Sequence, residues 1–330
     1  SQDMRIWIIS AMSAIMLVAG CNQRRALVPS ARPQVDVSGL EARAVRIVRD
    51  GLDDPEALVR NHSIEVVATT QRRELMPKVV SLLGDSMVPV RFAAAAAIGD
   101  LRYSAGEYPV RALLEDPDAN VQIAAAYALT RLGKTEYARR IRTAVRSDDQ
   151  TVRANAVLLL GKLGDKKNLP TVYEALRDDT STDKVKFQAV ESIAMLGDAK
   201  IYDRLWALLI SKFADDRVMG IRGMAALNTP EAENAIVTML GNEVMEVRLC
   251  AAEALGRLGN TAGEAEVIAY FDKARPNLDE TSVANTFATM AIGRIGTDGL
   301  KKYLPRLLES RSPVVRLGAA QSVLLLSGGE

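Results

Sequence analysis

Cys21, His62 and Cys250 are the side chains best suited to nucleophilic, acid–base or metal chemistry in this 330-residue chain, which holds two cysteines and one histidine in all. A zinc or iron–sulfur centre draws several Cys or His ligands into one cluster, so Cys-rich and His-rich metal sites are excluded. No second histidine stands ready to make a thiolate of Cys250, and the residue reads as a small core side chain. His62 reads as a packed or rim histidine. Walker, Rossmann and Gly-x-Ser-x-Gly patterns are absent. No catalytic residue, metal or cofactor is therefore expected. Lys and Arg number 42 against 41 Asp and Glu, a net charge of +1. That balance provides no field for nucleic acid. The apolar share of 48 % and charged share of 25 % are ordinary for a globular chain.

Cys21 has a different context. Met4-Arg5 is followed by an uncharged run from Ile6 to Gly20. This run is shorter than the roughly 20 apolar residues of a spanning helix and fits a signal-peptide core. Leu17-Val18-Ala19-Gly20-Cys21 resembles the lipobox of bacterial lipoproteins. The resemblance implies cleavage before Cys21, which would then carry diacylglycerol and an N-acyl chain, and three acyl chains together hold a protein on a bilayer. Residues 1–20 are thus expected to be a leader, with 1–3 an upstream read-through or scar. Residues 21–37, with Pro29, Pro33, Arg24, Arg25 and Arg32, read as a flexible tether, about 20–25 Å in root-mean-square reach. The expected location is the bacterial cell envelope, lipid-anchored and facing the periplasm. If sorting follows the enterobacterial pattern, Asn22 points to the outer membrane.

The rest of the chain, 38–330, repeats one unit. Val59, Val90, Val121 and Val152 recur every 31 residues, and Val185, Met219, Val247, Ala284 and Val315 continue the series less strictly. In the third unit Val121, Ala124, Ala125, Ala128, Leu129 and Leu132 stand at offsets 0, 3, 4, 7, 8 and 11, one face of a helix. Cap and turn residues precede each anchor by five positions (Asp54, Asp85, Asp116) and by three (Asp118, Asp149, Ser312), and either set could hold the true cap. Gly133, Gly164, Gly197, Gly259 and Gly296 read as left-handed stops. A shorter second helix follows each stop, as over 169–176 and 201–210. Such units bury their stripes only by stacking.

Asp116-Pro117-Asp118-Ala119-Asn120-Val121-Gln122-Ile123-Ala124-Ala125-Ala126-Tyr127-Ala128-Leu129 resembles a HEAT repeat of the short bacterial, PBS-lyase-like type, and 247–259 is a second close match. The resemblance implies an all-α, right-handed α-solenoid of about nine helix–turn–helix repeats, with the second helices on the concave side. Some HEAT-repeat proteins hydroxylate deoxyhypusine on a di-iron centre held by His-Glu pairs. Here Ser63 follows the one histidine, so that site is excluded. Bilin lyases share the repeat but work in the cytoplasm, against which the leader argues.

Arg60, Arg91, Arg153, Lys186, Arg248 and Arg316 stand one residue after their anchors, and Gln122 takes that place in the third unit. This row either pairs with turn aspartates (Asp85, Asp116, Asp148, Asp179) or forms a basic stripe. With Tyr127 it is the candidate binding set on the concave face. Tyr103, Tyr108, Tyr137, Tyr173, Tyr202 and Trp206 add an aromatic cluster in the middle units, and such residues favour interfaces. The expected function is a non-catalytic scaffold that binds a protein or peptide along the concave helix face, anchored to a membrane. The alternative is a HEAT-repeat enzyme or an enzyme's accessory subunit, with a polar concave pocket built from offsets +1 and +5. One feature resists both readings. The chain finishes Val323-Leu324-Leu325-Leu326-Ser327 with no polar closing helix, so this end is either cut short or docked on something.

Overall fold

A computed structural model describes residues 35–328. Cys21, the expected leader and nearly all of the tether lie outside them. The described residues form helices and turns, with no strand among them. Helix α1 (Ser38–Gly51) comes first. Long and short helices then alternate: α2 (Ala57–Thr70) and α3 (Met76–Ser81), α4 (Val88–Asp100) and α5 (Glu107–Ala112), α6 (Ala119–Arg131) and α7 (Ala138–Ala144), α8 (Gln150–Leu163) and α9 (Leu169–Arg177). The series continues with α10 (Asp183–Met195) and α11 (Tyr202–Leu209), α12 (Ala214–Leu227) and α13 (Pro230–Thr238), α14 (Met245–Arg257) and α15 (Glu264–Ala269). Helix α16 (Val283–Ile295) is followed by the single turns α17 (Asp298–Lys301) and α18 (Leu304–Leu307), and α19 (Pro313–Ser327) ends the series.

Each long helix lies against the next, because the buried face of the stripe is made of small residues. Ala94, Ala95, Ala97, Ala124, Ala125 and Ala128 are almost fully buried, and short side chains let helix axes approach closely. At Gly256 a Cβ would stand 2.8 Å from backbone atoms of Arg294 and Ile295, so α14 and α16 touch main chain to main chain. The expected glycine stops are all present with positive φ, Gly164 at 72° for example. The two candidate cap positions have separate jobs. Asp118, Asp149 and Ser312 are the caps, each accepting a first-turn N–H. Asp54, Asp85 and Asp116 instead close Asx turns, accepting from the N–H two residues on. In the eighth unit Ser282, two residues before the anchor, caps the helix.

The stack closes on itself. Among the described residues no second helix follows α19, and α1 takes that place: α1 packs along α19, while α19 also lies against α2. Arg43 Nη1 is 3.2 Å from Glu309 Oε1, and Arg72 Nη2 donates to Ser327 Oγ at 3.2 Å. Gly51 lies so close to Ser63 and Leu317 that a side chain there would collide with the Ser63 hydroxyl. The unpolar C-terminal end is thus covered by the first helix of the same chain, a ninth repeat assembled from both ends of the described chain. An array that closes this way needs no polar end cap.

Closure corrects the expectation about the concave side. The long first helices line the inside of the ring, and the short second helices stand outside. Lys162 of α8 reaches Asp100 of α4 at 2.8 Å, past the intervening α6, which only the inner layer of a tight ring allows. Close-packed, alanine-rich helices take the smaller circumference, and the short helices splay outwards.

Candidate functional site

The cation row lies at the N-terminal ends of the ring helices, along one rim. Arg60 Nη1 donates to the Asp54 carbonyl at 2.8 Å, while Nε and Nη2 grip Asp85 of the next unit at 2.8 and 2.9 Å. Arg91 repeats the pattern with the Asp85 carbonyl and with Asp116. Arg153 bonds Asp178, Thr180 and Ser181, so its carboxylate is Asp178 and neither Asp148 nor Asp179. Arg248 takes Glu266 at 2.9 Å. Gln122 holds the Asp116 carbonyl, and Arg316 holds the Ser310 and Arg311 carbonyls. No side-chain bond of Lys186 occurs among the described residues. Burial alone would raise the Asp85 carboxyl, but the Arg60 bond and the Met87 N–H outweigh it and hold it below the usual carboxylate range. These side chains are clips between neighbouring turns. As a concave stripe of free cations the row is corrected, because the paired groups are largely shielded and spent on the fold.

The sixth unit is also corrected. Arg217 Nη1 donates to the Ser211 carbonyl, six residues back, at 3.0 Å, as Arg60 does to Asp54. The anchor of this unit is therefore Asp216 rather than Met219, 31 residues from both Val185 and Val247. The even spacing was available in the sequence, but an aspartate at an apolar position hid it.

The inside of the ring is occupied. Counted from the anchors, offsets +6 and +10 point to the axis, and the expected +1 and +5 positions do not build the interior. Offset +6 brings Glu65, Glu191, Arg222 and Glu253; offset +10 brings Asp100, Arg131, Lys162, Arg257 and Arg294. The four carboxylates face five cations. Arg222 bonds Glu191 at 2.9 Å, Arg257 bonds Glu253 at 2.6 Å, and Arg294 stands 3.8 Å from the same Glu253. Burial, with Arg257 as a like-charged neighbour, lowers Arg294 to about 10. Tyr127, a binding candidate from sequence, is 1 % exposed. Its hydroxyl donates to Asp100 at 2.6 Å, and Lys162 Nζ lies 5.5 Å from its ring centre. It is part of the filling.

Glu65 is an interior carboxyl with no ion-pair contact within 4 Å among the described residues. Burial pushes its carboxyl up to about 8, against the opposing pull of Asn61, Lys162 and Arg222. Asn61 donates to it at 3.0 Å. Small cavities of about 40 Å³ flank it, one beside Phe92, Asp100 and Lys162, the other beside His62, Thr286 and Gln321. Burial lowers His62 to about 4 and raises the Cys250 thiol to about 12, so both residues are packed side chains, as expected. No group of His, Cys, Asp or Glu that could hold a metal occurs among the described residues.

The outer face is different. Trp206, Ile210 and Phe213, on α11 and the turn after it, are 38, 66 and 57 % exposed. Tyr202 stacks beside Trp206 with ring centres 6.5 Å apart. The aromatic cluster read from sequence therefore divides, Tyr127 inside and Tyr173, Tyr202 and Trp206 outside. Ile210 and Phe213 were not singled out from sequence. They lie where α11 breaks and no later helix covers them, which periodicity cannot register. No helix of the described residues is long and apolar enough to cross a membrane.

Fold and interior together define an all-α solenoid closed into a ring, with a self-paired interior and a free outer face. The family model described as HEAT repeats matches residues 107–194 and, overlapping, 140–218. Those units are HEAT repeats, and the same helix pair runs on to either side of them. No curated protein sequence matches the chain. Among solved structures, the complex of CpcE and CpcF of phycocyanin lyase from Nostoc sp. PCC7120 is 15 % identical, with 83 % of this chain and 99 % of that one covered and a TM-score of 0.45. Human deoxyhypusine hydroxylase is 15 % identical over 88 % of this chain and 98 % of that one, with a TM-score of 0.36. Kap121p is 12 % identical over 87 % of this chain and 38 % of that one, with a TM-score of 0.34.

Proposed function

We propose that this protein is a non-catalytic, protein-binding scaffold held on a bacterial envelope membrane by a lipidated Cys21. The periplasmic face of the outer membrane is the preferred location. One observation carries the binding reading: the ring interior is filled largely by its own charge pairs, while Trp206, Ile210 and Phe213, close together in the chain, are each exposed. Exposed aromatic and apolar anchors are the usual centres of protein interfaces. The partner surface is accordingly moved from the concave to the outer face. The reading calls for no cofactor, metal or nucleic acid. The anchor rests on the lipobox-like segment alone, which lies outside the described residues.

Two experiments test it. Labelling cells with a palmitate analogue should mark the wild-type protein and leave Cys21→Ser unmarked; label that persists on Cys21→Ser removes the anchor from the reading. Crosslinked capture from the same cells should lose its specific partner at least tenfold with Trp206→Ala/Phe213→Ala, a loss of about 1.4 kcal/mol or more. The melting temperature should hardly move, because both side chains are already exposed. Undiminished capture by the double variant contradicts an outer-face scaffold.

A further inference from the structure

The outer face carries a second feature, separate from the apolar ridge. Between α9 and α11 an open cleft of about 320 Å³ is lined by Tyr173, Leu176, Arg177, Asp198, Lys200 and Arg204. Three cations from three successive elements converge on it, and one carboxylate accompanies them.

The repeat itself shows what is unusual here. One junction earlier, Arg146 grips Glu174 through two bonds of 2.6 Å, tying the outer layer of one unit to the next. Moved on by one unit, Arg146 becomes Arg177, but Glu174, which stands 22 residues after the anchor Val152, becomes Ala207, 22 residues after the anchor Val185. Arg177 keeps the position and loses its acid. It lies over the Tyr173 ring instead, 4.9 Å from its centre. Lys200 and Arg204 then add two more cations to the same cleft. Among the described residues none of the three is in an ion pair.

Asp198 does not neutralise them. Its Oδ1 accepts the Lys200 backbone N–H at 3.1 Å, and its Oδ2 accepts the Tyr173 hydroxyl at 3.0 Å. Both oxygens are engaged in holding the turn before α11 and the tyrosine. The cleft therefore keeps an excess of two positive charges among its lining residues, and its three cations are exposed to a ligand arriving from solvent. Two guanidiniums and an ammonium offer many donors and no acceptor, the complement of a compact dianion with several oxygens. A single carboxylate would leave one charge uncompensated. The volume admits a tetrahedral anion together with part of an organic substituent.

We propose that this cleft binds a phosphate group, carried by a lipid headgroup or by a soluble phosphate compound. The site is independent of the ridge at Trp206 and Phe213, so either can fail without the other.

The test uses the full-length chain with Cys21→Ser, so that no acyl chain contributes. Calorimetric titration with inorganic phosphate and with glycerol 3-phosphate, against acetate as a control, reads the soluble source. Flotation with phosphatidylcholine vesicles, with and without phosphatidate, reads the headgroup source. Saturable binding in either arm is expected, weakened at least tenfold by Arg177→Gln/Arg204→Gln and unchanged by Lys302→Gln on another unit. Titration without flotation assigns the soluble source, and phosphatidate-dependent flotation assigns the headgroup; both support the site. Absence of binding in both arms overturns it. So does binding that survives the double substitution, acetate binding as well as phosphate, or a Glu-rich peptide that binds where phosphate does not.

Discussion

Lys162→Met should lower the melting temperature by about 5–10 °C, the most destabilising single change expected in the ring interior. Lys162 and Asp100 have side chains only 4 and 8 % exposed, with Nζ and Oδ2 2.8 Å apart. Removing the ammonium leaves a buried carboxylate whose remaining partner is the Tyr127 hydroxyl at 2.6 Å. Breaking one side of a buried pair costs about 3–5 kcal/mol, because the surviving charge is stranded. The second substitution separates that cost from the value of the pair. Asp100→Asn removes the charge but keeps an oxygen to accept from Tyr127. Lys162→Met/Asp100→Asn should therefore return to within about 1 kcal/mol of wild type, since neutral replacement of a buried pair is often close to even. A denaturation series on the four proteins decides it. Additive losses would mean that the two groups do not share one interior.

Val48→Asp should release α1 without unfolding the middle of the ring. Val48 is fully buried in the seam, and a carboxylate there has no partner, a cost of several kcal/mol. Only Ala44, Val48 and Gly51 of α1 are buried, against nine residues of α14. On its own side α1 thus contributes few buried side chains, and local stability follows such burial. Hydrogen exchange should speed up at least a hundredfold in α1 and α19. Exchange in α8 and α10 should change far less. Uniform acceleration throughout the chain would mean that closure and fold are one cooperative unit.

Much of this architecture is legible before any coordinates. The 31-residue spacing locates the ring helices because each stripe must meet its neighbours at the same height. The glycine stops are legible because a left-handed backbone excludes most side chains, and pairing of the cation row with Asp85 and Asp116 follows from two fixed offsets. Closure is not legible, because it depends on small rotations summed over many junctions. Its trace was an oily last helix. The interior charges show the same limit. Glu253 and Arg257 at i and i+4 mark a shared face, but only the curvature makes that face meet Glu191 and Arg294. The cleft at Arg177 depends on one lost acid, Ala207 in place of glutamate, visible only once Arg146 and Glu174 are known to touch.

Closure is tested most directly by one distance in solution. Spin labels at Arg43→Cys and Glu309→Cys, in a chain with Cys21→Ser, report on the seam. Cys250 stays unlabelled because it is 1 % exposed. One short, narrow separation is expected, since the native side chains are 3.2 Å apart. A broad distribution reaching tens of ångströms would mean an open arc, with an accessible inner wall and no ring.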